Sequence, residues 1–262
     1  MAESHPEPQE PGAGHRMSRL AVVTGASSGI GLELARIFDD EGFEVVAAAE
    51  DEDPPVGRPI RVDLATPEGV EQLAAQVRAL PIDALALNAG IGAGGAFVTD
   101  TRLEDELRLI DLNVRSTVHL AKLLVPPMVA RRRGRVLFTS SIASTQPGAF
   151  HAVYNASKSF VQSFALAIRE ELGDTGVTVT SLMPGPTDTE FFERADMEDT
   201  RIGQGPKDDP AEVARAGYEA LMEGKERVVA ASLMTKAQGR LGRFLPDSAK
   251  AAVHGKMAKP KE

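Results

Sequence analysis

Three side chains are spaced so that they could act together on an oxygen atom of a substrate. Tyr154 and Lys158 lie four residues apart in a stretch whose periodicity predicts a helix, so both would project from one face. A free phenol has a pKa of about 10 and is a poor base at neutral pH, but a neighbouring ammonium group favours the phenolate. Ser141 ends an apolar run thirteen residues before Tyr154, where its hydroxyl could stabilise charge developing on the same oxygen. These residues predict acid–base chemistry.

A tyrosine four residues before a lysine also arises by accident, as a core or interface aromatic whose hydroxyl is satisfied. The chain contains two tyrosines, and Tyr218 is not followed by a lysine at the same spacing. Tyr154 is therefore the candidate phenol. The glycine turn described next favours catalysis over packing for this residue.

A glycine-rich turn lies between the first apolar run, Leu20–Thr24, and the first helical pattern, Gly31–Asp40. Because glycine has no Cβ, such a turn lets the backbone approach a pyrophosphate, which would rest on the helix N-terminus where N–H groups and the dipole favour anions. Glycine clusters also serve ordinary tight turns, but the position between a strand and a helix favours a dinucleotide site. The residues predicted to hold it are Gly25, Ser27, Ser28, Gly29, Ile30 and Gly31.

The glycine spacing, with three residues between the first two glycines, resembles the short-chain dehydrogenase/reductase family. Longer dehydrogenases have GxGxxG, and the longer sugar-nucleotide epimerases of the same superfamily have GxxGxxG. Together with Tyr154-x-x-x-Lys158, the resemblance covers the chain from Arg19 to about Ala230. It implies a single Rossmann-type domain that transfers a hydride between a nicotinamide cofactor and an alcohol or carbonyl compound.

The resemblance implies a role for each catalytic candidate. Tyr154 is the general acid or base, and Lys158 also hydrogen-bonds the nicotinamide ribose. Ser141 holds the substrate oxygen; Ser140 is the alternative hydroxyl, but the spacing to the tyrosine favours Ser141. Asn113 matches the helix asparagine that organises a water leading to the lysine, and a plain polar helix residue is the other interpretation.

Further cofactor contacts are implied by the resemblance at the ends of three strands. Asp63, in an Asp-Leu pair with Leu64, matches the aspartate that hydrogen-bonds adenine, and a capping or turn aspartate is the alternative. A turn that resembles the family's Asn-Asn-Ala-Gly, with leucine in place of the first asparagine, consists of Leu87, Asn88, Ala89 and Gly90. A Pro-Gly turn beneath the nicotinamide, followed by threonines that grip its carboxamide, consists of Pro184, Gly185, Thr187 and Thr189.

The end of the second strand bears on the choice of cofactor. Residues 48–53 include four carboxylates, of which Glu50 could accept hydrogen bonds from a ribose 2′-hydroxyl. A 2′-phosphate would need arginine or lysine, and the glycine turn contains neither. The family's usual acidic position falls on Ala49, one residue earlier. We therefore expect NAD(H), with NADP(H) as the alternative.

The expected substrate pocket is small and mostly apolar. Residues 187–209 form an irregular stretch after a strand, on the side where open α/β sheets bind ligands, and are expected to act as a lid. His151 could assist catalysis, but a lone histidine three residues before a tyrosine is more often loop surface. A small, mostly apolar alcohol, ketone or aldehyde is the expected substrate. The candidate pocket residues are Ser141, Ala143, His151, Met183 and Phe191, with Ile91 and Phe150 as further walls.

Alternating strand and helix patterns must position these residues. They predict an α/β fold, a Rossmann-type doubly wound parallel sheet of about seven strands with helices on both faces. The predicted strands are Leu20–Thr24, Glu44–Ala49, Ile60–Val62, Ala84–Leu87, Val136–Thr139, Val177–Leu182 and Arg227–Ala230. The predicted helices are Gly31–Asp40, Glu68–Leu80, Arg102–Leu124, Val153–Leu172 and Ala211–Glu223, the last one preceded by a capping aspartate and a proline.

Composition limits the remaining functions. The net charge of −9 argues against binding nucleic acid or an anionic membrane. The absence of cysteine excludes disulfides, thiolate nucleophiles and cysteine zinc sites. No apolar run approaches the roughly 20 residues of a membrane span. We expect a cytoplasmic protein with no metal site.

Three regions are expected along the chain. Residues 1–16 are polar and rich in proline and glycine, which predicts a disordered tail. Residues 17–245 predict the oxidoreductase domain, and residues 246–262 a basic, solvated tail. The basic, amphipathic stretch Ser232–Phe244 could pack on a partner subunit or on the lid. The family resemblance implies a homodimer or homotetramer, formed through the helix carrying Tyr154 and the last strand.

Two other function classes share this fold. An isomerising, epimerising or dehydrating enzyme uses the nucleotide transiently, but the longer members of that kind add a C-terminal substrate domain that is absent here. A non-catalytic dinucleotide-sensing protein usually loses the tyrosine or the lysine, and both are present. Hydride transfer is the favoured interpretation, while substrate identity and physiological direction stay open.

Overall fold

Seven parallel strands form one sheet at the centre of the described part of the chain. The structure is a computed structural model that describes residues 19–50, 53–230 and 246–259. The strands are β1 (Arg19–Thr24), β2 (Phe43–Ala49), β3 (Arg58–Arg61), β4 (Ile82–Leu87), β5 (Gly134–Thr139), β6 (Val177–Pro184) and β7 (Arg227–Ala230). The helices are α1 (Gly29–Asp40), α2 (Pro67–Val77), α3 (Leu103–Ile110), α4 (Ser116–Ala130), α5 (Ala152–Glu171), α6 (Phe191–Arg194), α7 (Pro210–Met222) and α8 (Asp247–Ala258).

The strand order is β3-β2-β1-β4-β5-β6-β7, and every neighbouring pair is parallel. The chain winds outward from β1 to β3, crosses to β4 on the other side of β1, and winds outward again to β7. A crevice opens at the carboxyl ends of β1 and β4, where the winding direction reverses and where open α/β sheets bind their ligands. The predicted doubly wound, Rossmann-type sheet is confirmed.

Helices cover both faces of the sheet, which explains why most of its strands are mainly apolar, whereas the edge strand β3 begins and ends with arginine. On one face, α2, α4 and α5 contribute Leu73, Leu120 and Val161 to a buried cluster. On the other face, α1 and α7 contribute Leu34 and Leu221 to a second cluster. The sheet is therefore held rigidly between two apolar layers, and its carboxyl edge is a fixed platform for the loops that follow each strand.

Two helices begin at a side-chain cap followed by proline. Thr66 Oγ1 accepts a hydrogen bond from the N–H of Gly69 at 3.0 Å at the start of α2. Asp209 Oδ1 accepts one from the N–H of Ala211 at 2.8 Å at the start of α7. Each oxygen satisfies an N–H group that has no partner within its helix. The capping aspartate predicted for the last helix is confirmed.

The single helix predicted over Arg102–Leu124 is observed as two helices joined by a wider turn. Residues Asp111–Arg115 form one π-helical turn between α3 and α4, and α4 continues to Ala130. A π turn closes its hydrogen bonds over one more residue than an α-helix, which rotates the side chains that follow it. Asn113, at the centre of the turn, is 1% exposed.

The expectation of a solvated tail is wrong for the C-terminal residues that the structure describes. Asp247–Ala258 forms the helix α8, in which His254 and Ala258 are buried. Ala258 packs with Phe192 and Met197 of the 187–209 segment. Alanine and glycine lie between the lysines of the helix, and the Lys250 side chain is itself only 15% exposed. The predictions for residues 1–16 and 232–244 lie outside the described residues.

None of the helices within the described ranges is both long and apolar enough to cross a membrane. Over the same residues, no group of three or more histidine, aspartate or glutamate side chains is placed to hold a metal ion.

Candidate active site

A cleft of about 460 Å³ opens at the carboxyl ends of β1, β4, β5 and β6, within the range of roughly 300–1,000 Å³ common for small-molecule sites. The predicted site residues that line it are Gly25, Ser27, Ser28, Gly29, Ile30, Asn88, Ala89, Gly90, Ser141, Ala143, His151, Tyr154, Lys158, Pro184, Gly185, Thr187, Thr189 and Phe191. The predicted site residues outside this lining are Gly31, Glu50, Asp63, Leu64, Asn113 and Met183.

The glycine turn leaves backbone atoms accessible, without side chains over them, at the N-terminus of α1. Gly25 and Gly29 have φ values of +67° and +54°, which residues with a side chain rarely adopt. A Cβ on Gly31 would overlap the carbonyl oxygen of Gly25, so this glycine allows the helix to start directly against the turn. Ser28, the N-cap of α1, makes no capping bond with its side chain, which leaves the N–H groups of the first turn to a ligand. A dinucleotide pyrophosphate fits this cradle.

Asn88 joins three strands beneath the cleft. Its N–H donates to Thr24 Oγ1 at 3.0 Å, and its side-chain Nδ2 donates to Thr24 O at 3.2 Å. Its Oδ1 accepts from Thr139 Oγ1 at 3.0 Å. The N–H of Ala89 also donates to Thr24 Oγ1 at 3.0 Å. These hydrogen bonds connect the carboxyl ends of β1, β4 and β5 and fix the backbone at the base of the cleft.

Tyr154 and Ser141 meet within the cleft. Tyr154 lies in the first turn of α5, and Ser141 begins the short 3₁₀ turn Ile142–Thr145, where its Oγ accepts from the N–H of Ala143 at 3.1 Å. Burial raises the pKa of Tyr154 to about 12, and a hydrogen bond with Ser141 opposes that rise. At neutral pH the phenol therefore carries its proton and can donate it.

Lys158 lies one helical turn beyond Tyr154 and is 5% exposed. Its Nζ donates to the carbonyl oxygen of Thr139 at 3.0 Å and lies 5.9 Å from the centre of the Tyr154 ring. Burial lowers the pKa of Lys158 to about 8, because the charged form is poorly solvated there. A protonated Lys158 would stabilise the phenolate that Tyr154 becomes after giving up its proton.

Asn113 does not line the cleft but holds the segment that does. Its Oδ1 accepts from the N–H of Ile91 at 2.9 Å, and its Nδ2 donates to Ile91 O at 2.9 Å and to Ser157 Oγ at 3.1 Å. A Cβ on Gly90 would lie 3.0 Å from Asn113 Oδ1 and 3.1 Å from Lys158 Nζ. Asn113 thus fixes the chain after β4 against α5, and its expected link to the lysine through a water stays a prediction.

The acidic residues predicted to read the cofactor share one arginine. Arg108 of α3 pairs with Glu50 Oε1 at 2.6 Å and with Asp63 Oδ2 at 3.1 Å, and the hydrogen bond to Asp63 raises the pKa of Arg108. Arg61 Nε also donates to the carbonyl oxygen of Glu50 at 3.0 Å. The side chain of Leu64, which follows Asp63 in the Asp-Leu pair, is buried in the core, and its contact with a cofactor stays a prediction. Positive charge therefore stands next to the carboxylates at this end of the sheet.

The turn after β6 closes over the glycine turn. Thr187 Oγ1 donates to the carbonyl oxygen of Gly185 at 3.0 Å. Thr189 lies so close to Gly29 that a Cβ there would come within 2.9 Å of Thr189 Cγ2. The N–H of Phe191 donates to Thr189 Oγ1 at 3.3 Å, which links the threonine to the start of α6. Both threonines thus lie on the cofactor side of the cleft.

Two expected pocket walls, Met183 and Phe150, need correction, and so does the alternative placement of His151 on a loop surface. Met183 is buried within β6 and does not line the cleft. Phe150, at φ +63°, packs against the 187–209 segment instead of the cleft. His151 is not loop surface: it lines the cleft and is 5% exposed.

Several site residues were not predicted from the sequence. Thr24, Thr139 and Arg108 make hydrogen bonds to site residues that lie 19 to 65 positions away in the sequence. The sequence marks the two threonines only as the last residues of strands. His254 and Met257 line the cleft from α8, which the charge pattern had assigned to a tail.

Comparison with known proteins identifies the family. A model of the short chain dehydrogenase family matches residues 19–199. The chain belongs to this family, and it is an oxidoreductase of the NAD(P)-dependent kind.

Named relatives span most of the chain. An uncharacterized oxidoreductase of Staphylococcus saprophyticus is 31% identical over 220 residues, which cover 78% of this chain and 92% of that protein. An NADP-dependent 3-hydroxy acid dehydrogenase of Salmonella typhi is 32% identical over 180 residues, or 63% of this chain and 71% of that protein. A solved short-chain dehydrogenase from Sphingobium yanoikuyae in complex with NADPH has a TM-score of 0.76 at 25% identity, covering 93% of this chain and 96% of that one.

Proposed function

We propose that the protein interconverts a small, mostly apolar alcohol and the corresponding ketone or aldehyde, with Tyr154 as the residue that moves the proton. The observation that carries this proposal is the meeting of Ser141, Tyr154 and Lys158 at one end of a cleft whose other end fits a dinucleotide. When bound, the nicotinamide supplies or accepts the hydride.

The protein's own residues handle the proton and the charge. In the reducing direction the Tyr154 hydroxyl donates its proton to the carbonyl oxygen, and Ser141 donates a hydrogen bond to the same atom. The raised pKa of Tyr154 keeps the proton available at neutral pH. The Lys158 ammonium lowers the cost of the phenolate that remains. In the oxidising direction the phenolate accepts the proton of the alcohol.

Variants of the two tyrosines test this assignment. Tyr154→Phe should lower kcat for carbonyl reduction by about 10² to 10⁴, the usual contribution of a general acid, while binding of the reduced cofactor changes little. Tyr218→Phe is the matched control, because Tyr218 packs edge-on against Phe38 in the core below α1 and α7. Carbonyl reduction should be followed as the loss of reduced-cofactor absorbance at 340 nm, with ketones and aldehydes as substrates. A 3-oxo acid should be included because Arg201, which could pair with its carboxylate, also lines the cleft. A Tyr154→Phe enzyme with undiminished kcat would refute the proposed role.

We further propose that the site binds NADP(H) at least as well as NAD(H). The expected preference for NAD(H) rested on Glu50, but Arg108 and Arg61 both contact this residue. A guanidinium group can exchange a carboxylate partner for a 2′-phosphate, with which it forms a bidentate, charge-assisted pair. Two of the relatives compared above carry NADP or NADPH in their names.

A paired titration with NADH and NADPH, read by nicotinamide fluorescence, tests the cofactor proposal. Arg108→Leu should weaken NADPH binding about tenfold or more through loss of one charge-assisted bond, and NADH binding much less. Arg102→Leu is the control, because Arg102 pairs only with Glu104 and Asp105 among the described residues. Tighter binding of NADH to the unmodified protein would restore the original expectation.

A second copy of the chain is the proposed partner. Leu103, Leu107 and Ile110 recur on one side of α3 and are 66%, 50% and 40% exposed. Phe97 and Phe160 of the adjoining loop and α5 are 55% and 42% exposed, and together with Ile110 they line one shallow apolar groove. We call these five residues the α3–α5 surface. Contiguous exposed apolar area of this kind marks interaction sites, and it includes the helix that carries Tyr154.

A further inference from the structure

Two buried histidines form a polar corner of the cleft that the proposed proton transfer does not use. His151, the N-cap of α5, is 5% exposed, and His254 of α8 is 4% exposed. Both line the cleft. The centre of the His151 ring lies 5.4 Å from that of Tyr154 and 5.9 Å from that of His254. A substrate held at Tyr154 therefore lies within reach of this corner.

The hydrogen-bonding capacity of the corner is only partly used. The Nε2 atom of His151 is buried and makes no hydrogen bond within the part of the chain that the structure describes. Buried polar atoms are normally paired, since leaving one unpaired costs stability. His254 Nδ1 lies 3.0 Å from the carbonyl oxygen of Ala149. Because a carbonyl only accepts, Nδ1 carries the proton, and the other nitrogen of a neutral His254 is an acceptor.

Both rings are neutral at physiological pH. Burial and the neighbouring His254 lower the pKa of His151 to about 3, and burial also lowers the pKa of His254. A neutral imidazole has one donor and one acceptor nitrogen. The acceptor nitrogen of His254 can accept from a hydroxyl and would repel a carboxylate, whereas a proton on His151 Nε2 can be donated to a hydroxyl or to a carbonyl oxygen. The two histidines therefore match a neutral oxygen better than a carboxylate.

Helix α8 is built against this corner. A Cβ on Gly255 would lie 3.3 Å from Ala149 Cβ, so the glycine allows α8 to approach the loop that carries His151. The N–H of Ile202 donates to Met257 O at 3.2 Å, which joins α8 to the 187–209 segment. Helix α8 thus places His254 in the cleft lining and packs over this side of the cleft.

We propose that His151 binds a second, neutral oxygen of the substrate, with His254 as a further acceptor when that oxygen is a hydroxyl, so that the preferred substrates are small diketones or hydroxyketones. This proposal rests on the proposed function and narrows its substrate class. The short distance between the His151 and Tyr154 rings requires the second oxygen to lie a few bonds from the reacting carbonyl.

Matched substrates test the proposal. The ratio of kcat/KM for 2,3-pentanedione, or for 2,4-pentanedione as the longer spacing, to that for 2-pentanone measures recognition of the second oxygen. In the unmodified protein we expect a ratio of about ten or more, falling at least about fivefold in His151→Leu, the loss expected for one hydrogen bond. His151→Gln, which keeps a donor and an acceptor, should retain part of the preference. His119→Leu is the control, because His119 pairs with Glu71 on the outside of α4.

Equilibrium binding separates this proposal from the proposed function. A pentanediol and 2-pentanol can be titrated into the protein with NADPH, where both partners are already reduced and no turnover occurs. Tighter binding of the diol that disappears in His151→Leu supports the subsite, even if no ketone is reduced and the proposed function fails. Reduction of all ketones with a ratio that His151→Leu leaves unchanged overturns the subsite and leaves the proposed function standing.

Discussion

Burial moves the pKa values of Tyr154 and Lys158 in opposite directions, each towards the neutral form of its side chain. The pKa of the Tyr154 phenol rises to about 12, and the pKa of the Lys158 ammonium group falls to about 8. Below pH 8 the pair thus consists of a protonated phenol and a protonated amine. This is the combination that carbonyl reduction needs, because the proton is present to be donated and the positive charge is present to stabilise the phenolate.

The two directions of the reaction should therefore respond oppositely to pH. Since the ammonium form of Lys158 exists below its pKa, kcat/KM for reduction should be level up to about pH 8 and fall above it. Alcohol oxidation should rise with pH, because Tyr154 must first lose its proton. Initial rates in both directions between pH 6 and 10 measure this. A Lys158→Met variant should lose the inflection near pH 8, and a reduction rate that stays level to pH 10 would contradict the assignment.

Gly90 is the residue whose missing side chain matters most to this pair. A Cβ there would press on both Asn113 Oδ1 and Lys158 Nζ, so the lysine would have to move by a few tenths of an ångström. We expect Gly90→Ala to lower kcat on the order of tenfold, since small misplacements of a catalytic group are costly. Gly173→Ala is the control, because its Cβ would meet only Glu170 O at 3.4 Å. Equal kcat for both variants would show that the lysine tolerates the shift.

At the scale of elements, local patterns predict what local physics determines. Most strands are apolar because both faces of the sheet are covered, and their apolar runs predict the strand bounds within about two residues. The edge strand β3 is the exception, since only Ile60 is buried in it. Tyr154, Lys158 and the glycine turn can be predicted from the sequence because each is a local feature, in which the spacing of residues along the chain determines their arrangement in space. Arg108 is different: it lies 58 residues from Glu50 and 45 from Asp63, and only the tertiary fold brings it to these two carboxylates.

Two helical features escape prediction for physical reasons. The π turn at Asp111–Arg115 adds one residue to a ring, and an apolar pattern tolerates that without visible change. The helix α8 has lysines spaced through it, so its charge suggests a tail, yet its buried contacts come from alanine, glycine and one histidine. Tertiary packing decides both.

Helix caps allow a stability test at the same scale. Thr66 caps α2, and its hydroxyl also donates to Asp63 O at 2.8 Å. Thr66→Ala should lower the free energy of unfolding by about 1 kcal/mol, measured by urea denaturation. Ser28, at the equivalent position of α1, makes no such bond. Ser28→Ala should leave unfolding nearly unchanged but weaken binding of the dinucleotide, and a loss of stability as large as that of Thr66→Ala would contradict this reading of α1.

At the scale of the whole molecule, the α3–α5 surface predicts self-association. Leu107→Glu places a charge among apolar side chains and should convert a dimer to a monomer in sedimentation velocity at micromolar concentration. Val253→Glu on α8 is the control, because Val253 is similarly exposed, at 51%, but lies on another element. A monomeric unmodified protein would refute the proposed partner.

Helix α8 also has a consequence for synthesis. One part of the cleft lining comes from Lys158, from residues before it and from the turn that follows β6. His254 and Met257 come from α8. A chain emerging from the ribosome exposes its N-terminal part first. A nascent chain would therefore present the glycine turn and the turn after β6, the proposed nucleotide-binding elements, before α8 emerges, and the arrival of α8 would add His254 and Met257 to the cleft.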